Sequence, residues 1–183
     1  MSKTRDRALD AAVELVGTQG IRALTHARVD AQAGLPRGST SNHFRTRAAL
    51  LAGVCAWIAE QEIRDIGAIV AQPFDDLEGF IDLFSEVIEL LTGPYAVRTR
   101  ARYALFLEAA SDPELFAPMH AQREGMVAWS RGLLTALGAR HPDTATHAFM
   151  AFGDGIVLHR LSVDPDAPVR ASVAVAVRGC LSA

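Results

Sequence analysis

The sequence predicts an all-α protein, on three observations. Apolar residues recur at three- and four-residue spacing along most of its 183 residues. Glycines and prolines gather between those periodic stretches, where they end helices rather than interrupt them. The one strictly alternating run, Val173 to Val177, has the period of a strand but no second strand to pair with, so it too is read as helix.

The elements follow in order. Ala8, Ala12, Leu15 and Val16 share a stripe flanked by Leu9 and Val13, which predicts a first helix from about Arg5 to Thr18, ended by Gly20. Thr25 is placed to cap a short second helix through Ala33, closed by Gly34. Pro36 fixes a backbone angle suited to a helix start and opens the stretch "PRGSTSNHF". In it Thr40, His43 and Phe44 are expected to face inward, and Arg37, Ser39 and Asn42 outward. Thr46 caps a long helix through Leu50, Leu51, Val54 and Ile58. Helical segments are expected near 47–71, 74–92, 94–110, 113–137, 143–162 and 166–181. The breaks fall at Gln72–Pro73, Gly93–Pro94, Ser111 to Pro113, Gly138 to Pro142 and Pro165.

Half of the residues are hydrophobic and 21% are charged, enough apolar material for a core and too little charge for disorder. Met1 to Asp10 carries both signs of charge and no apolar signal region, and no window approaches a membrane span. A cytoplasmic protein with no membrane partner is expected. Cys55 and Cys180 match no CxxC spacing, so neither a disulfide nor structural zinc is expected, and nothing points to a cofactor. The net charge of −3 hides an asymmetry. Residues 1–47 hold eight Lys/Arg against four acids, a net of +4, while the rest holds ten against seventeen, a net of −7. A basic head on an acidic body permits attachment to a polyanion.

Two short helices joined by a tight glycine-containing turn, the second led by polar side chains, form a helix-turn-helix signature. The second helix is narrow enough for the major groove of DNA, and side chains near its N-terminus reach base edges. Gly38 lets the backbone approach the duplex closely. The competing reading is a helical hairpin with a polar surface and no partner.

The segments "RALDAAVELVGTQGIRALT", "ARVDAQAGLPRGSTSNHF" and "RTRAALLAGV" resemble the TetR (tetracycline repressor) family of bacterial transcription regulators, and residues 5–54 match its order of features without a gap. The resemblance implies a three-helix DNA-binding domain over residues 1–47 and a helical effector-binding and dimerisation domain over 48–183. Two departures stand out. Many members carry a large apolar residue and then a Tyr before the His-Phe pair, where this chain has Thr40 and Ser41. A base-reading side chain is common where this chain has Ala27.

The resemblance also implies roles. Thr25 and His26 would meet phosphate at the start of the second helix, where free N–H groups and the helix dipole favour anions. Arg37 is the best base reader, since guanidinium grips guanine O6 and N7 together, with Ser39 and Asn42 next. Arg47 would contact phosphate at the start of the fourth helix, assisted by Arg45. Ser41 offers a shorter reach than the usual Tyr. His43 supports the helix or a phosphate, Phe44 belongs to the core, and Arg28 and Gly38 complete the expected surface. The expected partners are an operator in double-stranded DNA, a small, largely apolar effector, and a second copy of the chain paired through its last two helices. As a homodimer the chain would present two recognition helices to a palindrome.

The middle helices carry Trp57, Phe74, Phe80, Phe84, Tyr103, Phe106, Phe116 and Trp129, with Arg102, Glu108 and His120 among them. Aromatics at helical spacing are ordinary core material, so an effector pocket follows from the resemblance alone. Its expected lining is Trp57, Phe84, Arg102, Tyr103, Phe106, His120 and Trp129. The competing class is an enzyme or a plain ligand-carrying helical protein, built on Asp154 with His159 or His141 with His147. No Gly-X-Ser-X-Gly elbow, HExxH helix or phosphate-cradling loop accompanies those pairs.

Overall fold

The computed structural model describes residues 3–109 and 117–182, and every regular element among them is helical. In order these are α1 (Lys3–Gln19), a 3-10 turn (Ile21–Ala23), α2 (His26–Gln32), α3 (Ser39–His43), α4 (Arg47–Val70), α5 (Leu77–Thr92), α6 (Ala96–Ala109), α7 (Ala117–Ala136), α8 (Pro142–Ser162) and α9 (Val169–Ser182). The break expected at Ser111 to Pro113, the start of the helix after it, and Phe116 lie outside the described residues. Start positions shift where a cap decides them. The helix expected from residue 74 begins at Leu77, because the Asp76 side chain accepts the Gly79 amide at 2.8 Å.

The chain forms two compact units, one of residues 1–62 and 96–120, the other of 63–95 and 121–183. Residues 1–47 lie wholly in the first. Its core joins Leu9, Leu24, Leu50, Ile58, Leu105 and Met119, all fully buried or nearly so. Ala8, Ala12, Leu15 and Val16 make the inner stripe of α1, as their spacing predicts. Helix α1 meets α6 without a side chain between them: a Cβ on Gly17 would lie 2.1 Å from the Val97 carbonyl oxygen. The Trp57 indole N–H of α4 donates to Asp10 of α1 at 2.8 Å. Cys55 is buried in this core, and burial pushes its thiol up to about 12.

The second unit is built on aromatic stacking. Phe80 and Phe149 are buried, Phe84 lies 4.4 Å from the Phe149 ring, and Trp129 lies 6.4 Å from that of Phe80. Helix α9 packs on α5 and α8 through Val169, Val173, Ala174 and Val177, a three-and-four spacing that shows the alternating run to be helical. Outside that seam, Arg170 bonds to Glu78 at 2.9 Å and Asp82 at 2.6 Å, and Arg178 bonds to Glu78.

Gly17 should be intolerant of any side chain. Gly17→Ala is expected to lower stability by about 1–3 kcal/mol, because the new methyl meets backbone that cannot rotate away. Gly132 of α7 has nothing within 4 Å of an added Cβ, so Gly132→Ala should stabilise by about 0.5–1 kcal/mol through helix propensity. Urea unfolding of both variants checks the pair.

Candidate nucleic-acid interface

Helix α3 spans five residues, too few to hold themselves in water by their own hydrogen bonds. Its support comes from the turn before it and from α2. Gly38 is the N-cap, at φ 91°, a left-handed conformation that a glycine adopts without strain. The Asp30 carboxylate of α2 reaches across the turn. One oxygen accepts the Gly38 amide at 2.7 Å, and the other accepts the Thr40 amide at 2.8 Å and the Thr40 hydroxyl at 2.6 Å. Asp30 is 3% exposed and Thr40 fully buried.

Burial opposes ionisation of Asp30, but the bonds from Thr40 and Gly38 outweigh it and hold the carboxyl below its ordinary range. A carboxyl more acidic folded than unfolded contributes stability above the ordinary carboxylate range. That contribution is lost as pH falls through the folded value.

At the other end of α3, the His26 ring bonds to the Phe44 carbonyl at 2.6 Å; since the carbonyl only accepts, Nε2 carries the proton. Phe44 is buried against α4, where a Cβ on Gly53 would lie 2.4 Å from its ring. Arg7 of α1 closes the far end of α2 by donating to the Ala33 carbonyl at 2.7 Å. Asp30 and Arg7 are the residues that sequence reasoning missed here. The only trace of Asp30 was an acid beside Val29 on the inner stripe of a short helix.

Around this frame the expected surface residues divide. Arg37, Asn42, Arg45 and Arg47 are exposed. His43, expected inward, is exposed as well: Thr40 and Phe44, one turn apart, fill the inner face and leave the imidazole outside, tilted 6.5 Å from the Phe44 ring. The Ser39 hydroxyl donates to the Pro36 carbonyl at 2.6 Å and that of Ser41 to the Gly38 carbonyl at 2.8 Å, so both protons stay within the turn and leave lone pairs outward. Thr25 caps α2, its Oγ1 accepting the Arg28 amide at 3.4 Å. The Arg28 guanidinium bonds to Gln19, and that of Arg47 to the Ile21 carbonyl at 3.2 Å.

Of the four acids in residues 1–47, Asp30 alone is withdrawn from the surface. Asp30 is buried, Asp10 holds Trp57, and Asp6 lies 3.8 Å from Arg5. The outer surface is more positive than the net charge of its segment.

The residues expected to line an effector pocket fall in both units. Trp57, Arg102, Tyr103, Phe106 and His120 belong to the first. There Arg102 lies over the Tyr103 ring at 4.9 Å and 3.5 Å from Glu62, and Phe106 meets His120 edge-on. Phe84 and Trp129 join the aromatic core of the second. Asp154 is gripped by both terminal nitrogens of Arg123, at 3.3 and 2.6 Å, an ion pair rather than a poised base. Among the described residues no three His, Cys, Asp or Glu side chains gather as a metal site, and no helix is long and apolar enough to cross a membrane.

Residues 8–54 match the bacterial regulatory proteins of the tetR family, and residues 75–183 match the tetracyclin repressor-like C-terminal domain. No curated protein matches the chain. Among solved structures, the multidrug binding protein EbrR complexed with ethidium is 32% identical, with 96% of this chain and 97% of that one covered and a TM-score of 0.66. EbrR is also known complexed with proflavin and with malachite green. A TetR-family member from Streptomyces coelicolor A3, SCO1917, is 29% identical over 98% and 99% of the two chains, with a TM-score of 0.71. A transcriptional regulator from Rhodococcus sp. Rha1 shares the fold at a TM-score of 0.81 and 16% identity, over 97% and 96%. With both its N-terminal and C-terminal regions matched, the chain belongs to the TetR family of bacterial transcription regulators.

Proposed function

We propose that this regulator is a repressor that binds a palindromic operator as a homodimer and lets go when a small aromatic molecule binds. The observation that carries the DNA-binding half is the short helix α3. Its inner face is sealed by Thr40 and Phe44, while Arg37, Asn42, Arg45 and Arg47 stand exposed on and around it. Arg37 lies just before the first turn, where a guanidinium can reach a guanine edge, and Arg47 opens α4, where it can meet phosphate. Residues 1–47 serve as the DNA-binding domain and residues 48–183 as the effector and dimerisation domain.

Dimerisation through the last two helices is supported by what they leave exposed. On α8 these are Ala148, Ala151, Gly155 and Leu158, and on α9 Ala171, Val175 and Gly179. Small side chains let two such faces approach closely, and a twofold pairing puts one recognition helix in each half-site.

The effector half draws on EbrR, known complexed with imidazole, ethidium, malachite green and proflavin, all aromatic and the last three cationic. Glu62 of α4, 3% exposed beside Arg102, offers a buried carboxylate for such a ligand. The effector is therefore a largely apolar aromatic molecule, with a positive charge to compete for Glu62. Tyr103, Phe106 and His120 are the neighbouring candidates.

Selection from random DNA with purified protein should return one palindromic motif; failure to enrich any sequence at low salt would sink the regulator reading. On the selected site Arg37→Ala should cost about 1–3 kcal/mol and relax preference at one base position per half-site. Arg47→Ala should weaken all sequences alike and reduce the salt slope by about one. Indistinguishable behaviour of the two across operator variants would refute the division of roles.

The dimer face is tested with opposite sides of one helix. Val175 is 75% exposed, so Val175→Glu should give a folded monomer by light scattering; Val173, fully buried, should unfold the unit as Val173→Glu. A wild-type monomer at micromolar concentration would contradict the assembly. For the effector, ethidium is the first probe. Coupling between sites is reciprocal, so saturating operator should weaken its binding about 5–150-fold in calorimetric titration. Equal affinities with and without operator would mean that ethidium binding does not regulate.

A further inference from the structure

The two ends of α3 are both held from one side of one helix. His26 and Asp30 stand four residues apart on α2, hence on the same face. Asp30 takes the Gly38 and Thr40 amides and the Thr40 hydroxyl at the start of α3, and His26 takes the Phe44 carbonyl at its end. Between these anchors lie the five residues of the helix. The Asp30 and Thr40 groups are buried, so they touch no DNA.

We infer that His26 and Asp30 are positioning residues, a two-point clamp that orders the recognition helix before DNA arrives and thereby sets base discrimination. The inference rests on α3 as the DNA-reading helix. Three physical points carry it. A five-residue helix in water pays its own ordering cost unless something else fixes its ends. Charge-assisted bonds to two backbone amides and a hydroxyl fix both the position and the rotation of its first turn. The bond at Phe44 then sets its tilt, because Phe44 closes the last turn, its amide donating to the Thr40 carbonyl at 2.9 Å while its own carbonyl is held by His26. The clamp also accounts for Thr40, where relatives commonly carry a large apolar residue: its hydroxyl is a clamp ligand. The resemblance places His26 at phosphate, but its Nε2–H is directed to the Phe44 carbonyl.

Phosphate contacts from exposed arginines do not need a fixed helix, whereas base edges do. Loosening the clamp should therefore damage discrimination and leave non-specific affinity in place. A role in folding alone would predict the reverse, with both affinities falling together as folded protein is lost.

The test pairs amide hydrogen exchange on the free protein with binding to the selected operator and to a scrambled duplex. Thr40→Val removes one clamp bond without changing shape, Asp30→Asn removes the charge, and His26→Ala removes the second anchor. In the wild type, amides of residues 38–44 should be protected. Each variant should speed their exchange about tenfold or more, with the amides of Leu15 and Val16 in α1 unchanged. The ratio of operator to scrambled affinity should fall about tenfold, with scrambled affinity and salt slope kept. His26→Gln, whose amide can donate to the same carbonyl, should restore both readouts. Amides of α3 as open in the wild type as in the variants would overturn the clamp. So would undiminished discrimination in variants whose α3 amides are open. A wild type that prefers no sequence would remove the regulator reading, and the clamp would then stand or fall on exchange alone.

Discussion

Helix α3 is too short to persist alone, and the face it presents depends on one buried carboxylate. Asp30 turns a glycine-rich bend into a defined helix start by accepting two amides and a hydroxyl eight to ten residues away. Around that point the other contacts fall into a chain: Arg7 ties α1 to the end of α2, His26 ties α2 to the end of α3, and Phe44 seats α3 against α4. Each link ties a side chain of one helix to the backbone of another, so the geometry of the exposed arginines is set by contacts behind them. The same arrangement removes negative charge from the outside. A buried, hydrogen-bonded carboxylate lends its field to the interior, where low dielectric makes it count most.

How much of this was legible in the sequence follows from the range of each interaction. Helices came through because their signals are local: the stripe of Ala8, Ala12, Leu15 and Val16, and the caps at Thr25 and Thr46, all act within four residues. The reach of Asp30 to Gly38 and Thr40 is not local, and no periodicity encodes it. His43 went to the wrong side because three- and four-residue spacing both qualify as inward in so short a helix, and only the packing of Thr40 with Phe44 decides. In α9 both faces are apolar. The sequence therefore cannot say that Val173 and Val177 are core while Val175 is exposed. Aromatic side chains posed the same problem: Trp57, Phe84 and Trp129 share chemistry and spacing, yet one is tied to Asp10 and the others stack in a separate core.

The two units are held by different means, and this bears on how each responds to conditions. The first combines a tightly packed core with the part-buried bond from Trp57 to Asp10 and the buried pair of Arg102 and Glu62. The second has an aromatic centre and exposed ion pairs between Arg170, Arg178, Glu78 and Asp82. Exposed pairs are screened by salt and contribute little individually, while buried ones are costly to break from one side. Ionic strength therefore acts on the seam between α5 and α9 far more than on the frame around α3.

The notch at Gly53 has a kinematic meaning. With no side chain at that position, the Phe44 ring sits where a Cβ would come within 2.4 Å of it. The nearest side chains on the same face stand one turn away, at Ala49 and Trp57, so sliding α4 along its axis would carry one of them towards the ring. Tilting α4 about the notch meets no such obstacle. The contact therefore works as a pivot rather than a rail, and α4 can convey to α3 a change of angle but not a change of length.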